Sequence, residues 1–201
     1  MLAFAAAHLP PAPARILDVG CGDGALTREL IARGYDARGI DPRAPEGPMF
    51  DRVALEELRV EHPYDAAIAV VSLHHVHDLA GAVAHLADAI APGGMLLVDE
   101  FDRERLDPPT TAWLGHQREA LAAVGLGHAH EPSTHEGLEH ILEWESVRAA
   151  LAAAFEERSV ERVEFLYRYE THPALQPLER AMIDAGAITP TGVRYVGYAR
   201  A

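Results

Sequence analysis

Three glycines at alternate positions, Gly20, Gly22 and Gly24, follow the apolar run Ile16-Leu17-Asp18-Val19, with Cys21 and Asp23 between them. Glycine at that spacing lets the backbone turn through positive φ and come close to a ligand, and a helix that follows offers unpaired N–H groups in its first turn. The chemistry such a loop serves is the grip on a nucleoside-bearing cofactor. Asp41, closing the next strand-like segment, is a carboxylate of the kind that accepts hydrogen bonds from ribose hydroxyls.

Other residues could move protons. His74, His75 and His77 come after a long apolar run, and an imidazole, with its ordinary pKa near neutral, is the natural base wherever an acceptor must lose a proton. One of the adjacent pair could equally pack beneath the sheet, leaving the other at the pocket and His77 in solvent. Asp99 and Glu100 end a second apolar run and could orient an amine or hydroxyl, or simply form a strand end or cap. His128, His130, Glu131, His135, Glu136, Glu139 and His140 crowd one stretch, but no HExxH pattern or cysteine partner accompanies them, and no metal is expected.

The elements that must position these groups alternate. Strand one (16–19) leads to a helix from Ala25 to Arg33, stopped by Gly34, and then to strand two (36–40). A Pro-rich loop (42–48) precedes a short third strand near Met49-Phe50 and a helix expected over Ala54–Val60. Ala66–Val71 is continuously apolar, as a strand buried on both faces must be. A helix over Leu79–Ile90 leads to the turn Pro92-Gly93-Gly94 and the strand Met95–Val98. Such alternation predicts an α/β, doubly wound parallel sheet. The segment 101–144 breaks the rhythm, with a helix expected over Thr111–Val124. Then come a helix over Ser146–Glu157, a strand over Ser159–Tyr169, a helix over Leu175–Ala185 and a last strand over Gly192–Arg200.

Composition narrows the partners. The 201 residues carry 31 acids against 17 basic side chains, a formal charge of −14, which opposes docking on a phosphate backbone. All the basic residues are arginine, so Schiff-base chemistry and a lysine nucleophile are excluded. A lone cysteine, Cys21, excludes an internal disulfide and fits a cytoplasmic location, and the apolar start lacks the basic region of an export signal. No membrane association is expected.

Two cofactor classes compete for the loop. Gly20-x-Gly22-x-x-Ala25 satisfies the dinucleotide fingerprint for NAD or FAD, while Asp18-x-Gly20-x-Gly22-x-Gly24 resembles the S-adenosylmethionine (SAM) loop of class I methyltransferases. That second resemblance extends, in order and interval, through Asp41, Tyr64-Asp65, Leu73-His74-His75-Val76 and Leu86 to Pro92-Gly93-Gly94, covering residues 14–102, and is strongest with the small-molecule group. It implies a Rossmann-like, doubly wound seven-stranded sheet of order 3-2-1-4-5-7-6 with a helical and loop insertion after strand five. It also implies one methyltransferase domain over 1–201, with 102–145 as a lid-like insertion.

Carried over by residue, the resemblance places Asp18 at the methionine part of SAM and Gly20, Gly22 and Gly24 around the carboxypropyl and ribose groups. Cys21 is a small filler in that loop, Asp41 binds both ribose hydroxyls and Pro42 lies against adenine. Asp51 is a candidate for the adenine-side carboxylate, and Ala69 and Val70 supply backbone at the methionine end. His74, His75 and Glu100 are the catalytic candidates. The implied reaction passes the SAM methyl to an O, N or C nucleophile of a small molecule, leaving S-adenosylhomocysteine (SAH), in a monomer or homodimer. Trp113, His116, Gln117, His140 and Trp144 could line the acceptor pocket or pack within the insertion, and Asp107-Pro108-Pro109 reads as a loop turn. The alternatives are a SAM- or SAH-binding protein without methyl transfer and an NAD-dependent oxidoreductase, for which no Tyr-Lys pair exists.

Overall fold

The structure, a computed structural model, describes residues 1–126 and 142–200. Seven strands form one sheet in the order β3-β2-β1-β4-β5-β7-β6. They are β1 (Arg15–Val19), β2 (Asp36–Ile40), β3 (Phe50–Asp51), β4 (Tyr64–Val70), β5 (Ile90–Phe101), β6 (Phe155–Val163) and β7 (Gly192–Ala199). Strands β1 to β5 pair in parallel, and β7 runs antiparallel to both β5 and β6. The expected strand order is the observed one.

The helices are α1 (Leu2–His8), α2 (Ala25–Ala32), α3 (Leu79–Ala89), α4 (Pro108–Ala123), α5 (Trp144–Ala154), α6 (Leu166–Tyr169) and α7 (Gln176–Asp184). Strand parity divides the core between them. Ile16, Ala66, Ile68, Met95, Leu97 and Val196 pack with Phe4 and Ala5 of α1 and Leu30 of α2. Leu17, Val19, Ala67, Ala69, Leu96 and Val98 point to the opposite face, where Val83 and Leu86 of α3 and Trp144, Val147 and Leu151 of α5 cover them. Both faces of β4 are therefore dry, which is why its sequence is continuously apolar.

Several boundaries differ from expectation. The helix expected over Ala54–Val60 is a single 3-10 turn, Leu55–Glu57, after which Leu58 is extended so that both leucines reach the core. The Pro92-Gly93-Gly94 turn is an irregularity inside β5, whose ladder opens with Tyr64↔Ile90 and resumes at Ala66↔Met95. Strand β6 starts at Phe155, fully buried opposite Ala199, which ends α5 early. The same strand stops at Val163 because Glu179 of α7 accepts the N–H groups of Phe165, Leu166 and Tyr167 at 2.8–3.0 Å and turns the chain into α6. Asp107-Pro108-Pro109 is a helix start instead of a loop turn: Asp107 accepts the Thr110 N–H at 2.8 Å as N-cap of α4, with Pro108 at the first helical position.

Candidate functional site

The glycine loop folds where β1 ends. Gly20, Gly22 and Gly24 have φ of 70°, 53° and 78°, a region that side-chain-bearing residues seldom adopt. Gly20 and Cys21 donate their N–H groups to the Ile40 carbonyl at 2.8 and 3.0 Å, which pins the loop to the end of β2. Asp41, the next residue after β2, accepts from Gly22 N–H at 3.2 Å and from Arg43 N–H at 2.7 Å. One carboxylate thus fixes the loop and the start of the following segment while keeping acceptor capacity for a ligand.

Beneath the loop, parity sends Asp18 toward α2, where its Oδ2 accepts the Thr27 hydroxyl at 2.6 Å. Burial pushes its carboxyl up to about 6, against the lowering effect of Thr27. Cys21 packs with Ala44 and Phe50, and burial raises its thiol to about 12, so it is a small filler and no nucleophile.

Across from the loop, β4 ends at Val70 and Val71 adopts φ of 51°, rare for a β-branched residue. Ser72 then donates its hydroxyl to the Val19 carbonyl at 3.0 Å, and its Cβ occupies the place a side chain on Gly20 would need. The two loops enclose a cavity of about 730 Å³, bounded by Gly20, Gly22, Asp41, Pro42, Ser72 and His75, with Val53, Ala54, Leu55 and Val76 as its apolar lining. That volume is within the range of small-molecule sites.

A family model described as "Methyltransferase domain" matches residues 2–162. The chain belongs to this methyltransferase family. It is 34% identical over 118 residues to the ubiquinone biosynthesis O-methyltransferase of Xylella fastidiosa, an alignment covering 51% of this chain and 48% of that protein. The chain thus spans about half the length of the curated relatives it matches. Among solved structures, a S-adenosylmethionine dependent methyltransferase from Mesorhizobium loti superposes with a TM-score of 0.63 at 18% identity, covering 98% of this chain and 96% of that one. The [4+2]-cyclase SpnF superposes with a TM-score of 0.57 at 20% identity, covering 98% and 78%, so the fold alone does not define a reaction.

In this methyltransferase fold the candidate residues separate. Gly20, Gly22, Asp41, Pro42 and His75 line the cavity, whereas Asp18 and Cys21 lie behind its wall and Gly24 caps α2 with Phe50 packed over it. Asp51 does not reach the cavity. It forms a two-pronged pair with Arg38, which holds its carboxyl below the usual range. Ala69 is fully buried and Val70 partly so.

The adjacent histidines also part. His75 opens on the cavity, and its pKa is lowered chiefly by partial desolvation. His74 is 4% exposed and faces inward, with its Nδ1 2.5 Å from Glu100 Oε2. Glu100 is itself 1% exposed and touches no part of the cavity. Trp113 belongs to a small core with Phe101, Leu114, Phe165 and Leu166, and Trp144 to the main core beside Tyr195. His116 and Gln117 line no part of the cavity, while His140 and the rest of the His128–His140 stretch lie outside the described residues.

Sequence reasoning did not single out Ser72, Thr27, Arg43, Glu56, Glu57 or Asp78. Thr27 was findable, since a hydroxyl one turn into the helix after a glycine loop faces the acid that precedes the loop. Arg43, Glu56, Glu57 and Asp78 sit on irregular segments that only the folded chain brings to the cavity.

Proposed function

We propose that this chain transfers the methyl group of SAM to an O, N or C nucleophile on a small molecule and releases SAH. The observation that carries the reading is the cavity itself: the glycine loop, Asp41 and His75 converge on one space from β1, β2 and β4. The residues suit the cofactor. Backbone at Gly20 and Gly22 permits close approach, Asp41 can accept from ribose hydroxyls, and Pro42, Val53, Ala54 and Leu55 offer an apolar slot for adenine.

SAM supplies an already activated sulfonium methyl. What remains for the protein is alignment and exclusion of water, and alignment alone can contribute roughly 7–11 kcal/mol. In this reading His75, neutral at pH 7 with its lowered pKa, takes a proton from an acceptor hydroxyl or amine. The burial of Glu100 and His74 favours His75 over them in this reading. In this reading the insertion after β5, of which the structure describes 102–126 and 142–145, serves the acceptor. The charge of −14 supports a small acceptor over nucleic acid, and the lone cysteine fits a cytoplasmic location.

The test is label transfer from methyl-labelled SAM to a panel of phenols, amines and carbon acids, with oxygen acceptors first because of the O-methyltransferase relative. Transfer to any member above the protein-free rate supports the proposal. SAH binding without transfer to any acceptor class would favour a binding-only role instead.

A further inference from the structure

The buried carboxylate of Glu100 has three donors on two oxygens. Oε1 accepts the Ser72 and Leu73 N–H groups, each at 2.8 Å, and Oε2 accepts from His74 Nδ1 at 2.5 Å. These three residues follow Val71, whose positive φ is strained for a β-branched side chain and persists only where neighbours hold it. From there the contacts run on in both directions. Ser72 reaches the Val19 carbonyl and closes over Gly20, and the His74 ring stands 4.0 Å, centroid to centroid, from that of His75.

We propose that Glu100 is a positioning residue whose one carboxylate holds the turn at 72–75 against the glycine loop and so forms the cavity wall that carries Ser72 and His75. It touches no ligand and acts through the turn. Only a side chain on the α3 face of β5 can do this, because parity turns Asp99 to the other face, where Arg168 and Arg194 hold it. Facing a carboxylate, His74 must carry its proton on Nδ1, which fixes its tautomer and leaves Nε2 as acceptor. The function assigned to Glu100 rests on the cofactor reading above, but its grip on His74 does not.

The variants Glu100→Gln and Glu100→Ala test it, read by calorimetric titration with SAH and by nitrogen-15 NMR of the histidine rings in the free protein. A glutamine oxygen can still accept from Ser72 and Leu73, while its NH₂ must meet His74 Nδ1 as a donor. The glutamine variant is therefore expected to bind SAH within about threefold of the parent. In the same variant the His74 proton should move from Nδ1 to Nε2. The alanine variant, or Glu100→Asp if alanine does not fold, is expected to bind SAH at least about tenfold more weakly.

Parent-like SAH affinity in the alanine variant overturns the proposal, as does an unchanged His74 tautomer in the glutamine variant. A glutamine variant as weak as alanine also overturns it, since the charge and not the held wall would then matter. If the parent itself binds no SAH, the cofactor reading fails, while the tautomer in the free protein still decides the Glu100–His74 contact.

Discussion

A side chain on Gly20 would collide with the Cβ of Ser72, so the end of β4 can cross the glycine loop only because residue 20 has no Cβ. Two cavity-lining segments, from β1 and from β4, are interlocked at this point, and Ser72 seals the contact by donating to the Val19 carbonyl.

Gly20→Ala is therefore expected to cost more than the left-handed strain alone, which is about 1–2 kcal/mol. Gly22→Ala meets no atom within 4 Å and should carry little beyond that strain. Urea unfolding of the two variants compares them, and adding Ser72→Gly should recover part of the loss in the first and none in the second. Equal destabilisation by the two alanines would mean that the interlock is not what fixes Gly20.

Asp18→Asn should stabilise the protein at neutral pH. Its folded pKa of about 6 stands above the ordinary 3.8, so the folded state binds the proton more tightly than the unfolded chain does. Stability then falls as pH rises from about 4 to about 6 and stays lower above that. Asparagine keeps an oxygen for the Thr27 hydroxyl without the charge, with an expected gain on the order of 2–3 kcal/mol at pH 7.5 and none near pH 4. Thermal melts at the two pH values check this, and an equal gain at both would exclude ionisation as the cause.

How much of this could be read beforehand depends on the kind of contact. The glycine loop, Asp41 and the alternation of strands and helices are local patterns that gave the doubly wound class, while the strand order came from the resemblance to class I methyltransferases. Parity along β5 likewise separates Asp99 from Glu100. Yet no local pattern tells that the first histidine of an adjacent pair turns inward to Glu100 while the second opens on the cavity, because the partner is 26 residues away in sequence. The pairing of Asp51 was hidden for the same reason: its partner Arg38, across the β2–β3 pair, is 13 residues away in sequence. The end of α5 and the end of β6 shifted where a single buried residue, Phe155 or Glu179, outweighed local propensity.

His75 should titrate below the ordinary histidine value of 6.5, because partial desolvation disfavours its charged form. Protonation is thus less favourable in the folded state, and any stability it contributes is lost as pH falls below about 6.5 through that lowered value. Ring-proton NMR gives the midpoint directly. A midpoint above 6.5 in the parent would remove His75 as a neutral base at pH 7.

Asp99 is fully buried between Arg168, at 2.7 Å, and Arg194, at 3.4 Å. Removing one member of a buried ionic group typically costs about 3–5 kcal/mol, so Asp99→Ala is expected to be among the most destabilising single changes. Denaturant unfolding checks the magnitude. A loss below about 1 kcal/mol would show that the arginines reorganise freely toward solvent.

The claim on which the rest depends is that the cavity between Gly20, Asp41 and His75 holds SAM. Calorimetric titration of the chain with SAH and, separately, with NAD⁺ and NADH, repeated on Asp41→Ala, tests it most directly. The expected result is micromolar binding of SAH alone, weakened at least about tenfold in the variant, a loss of roughly 1.4 kcal/mol or more. Binding of NAD⁺ or NADH in place of SAH, or SAH binding indifferent to Asp41, would contradict it.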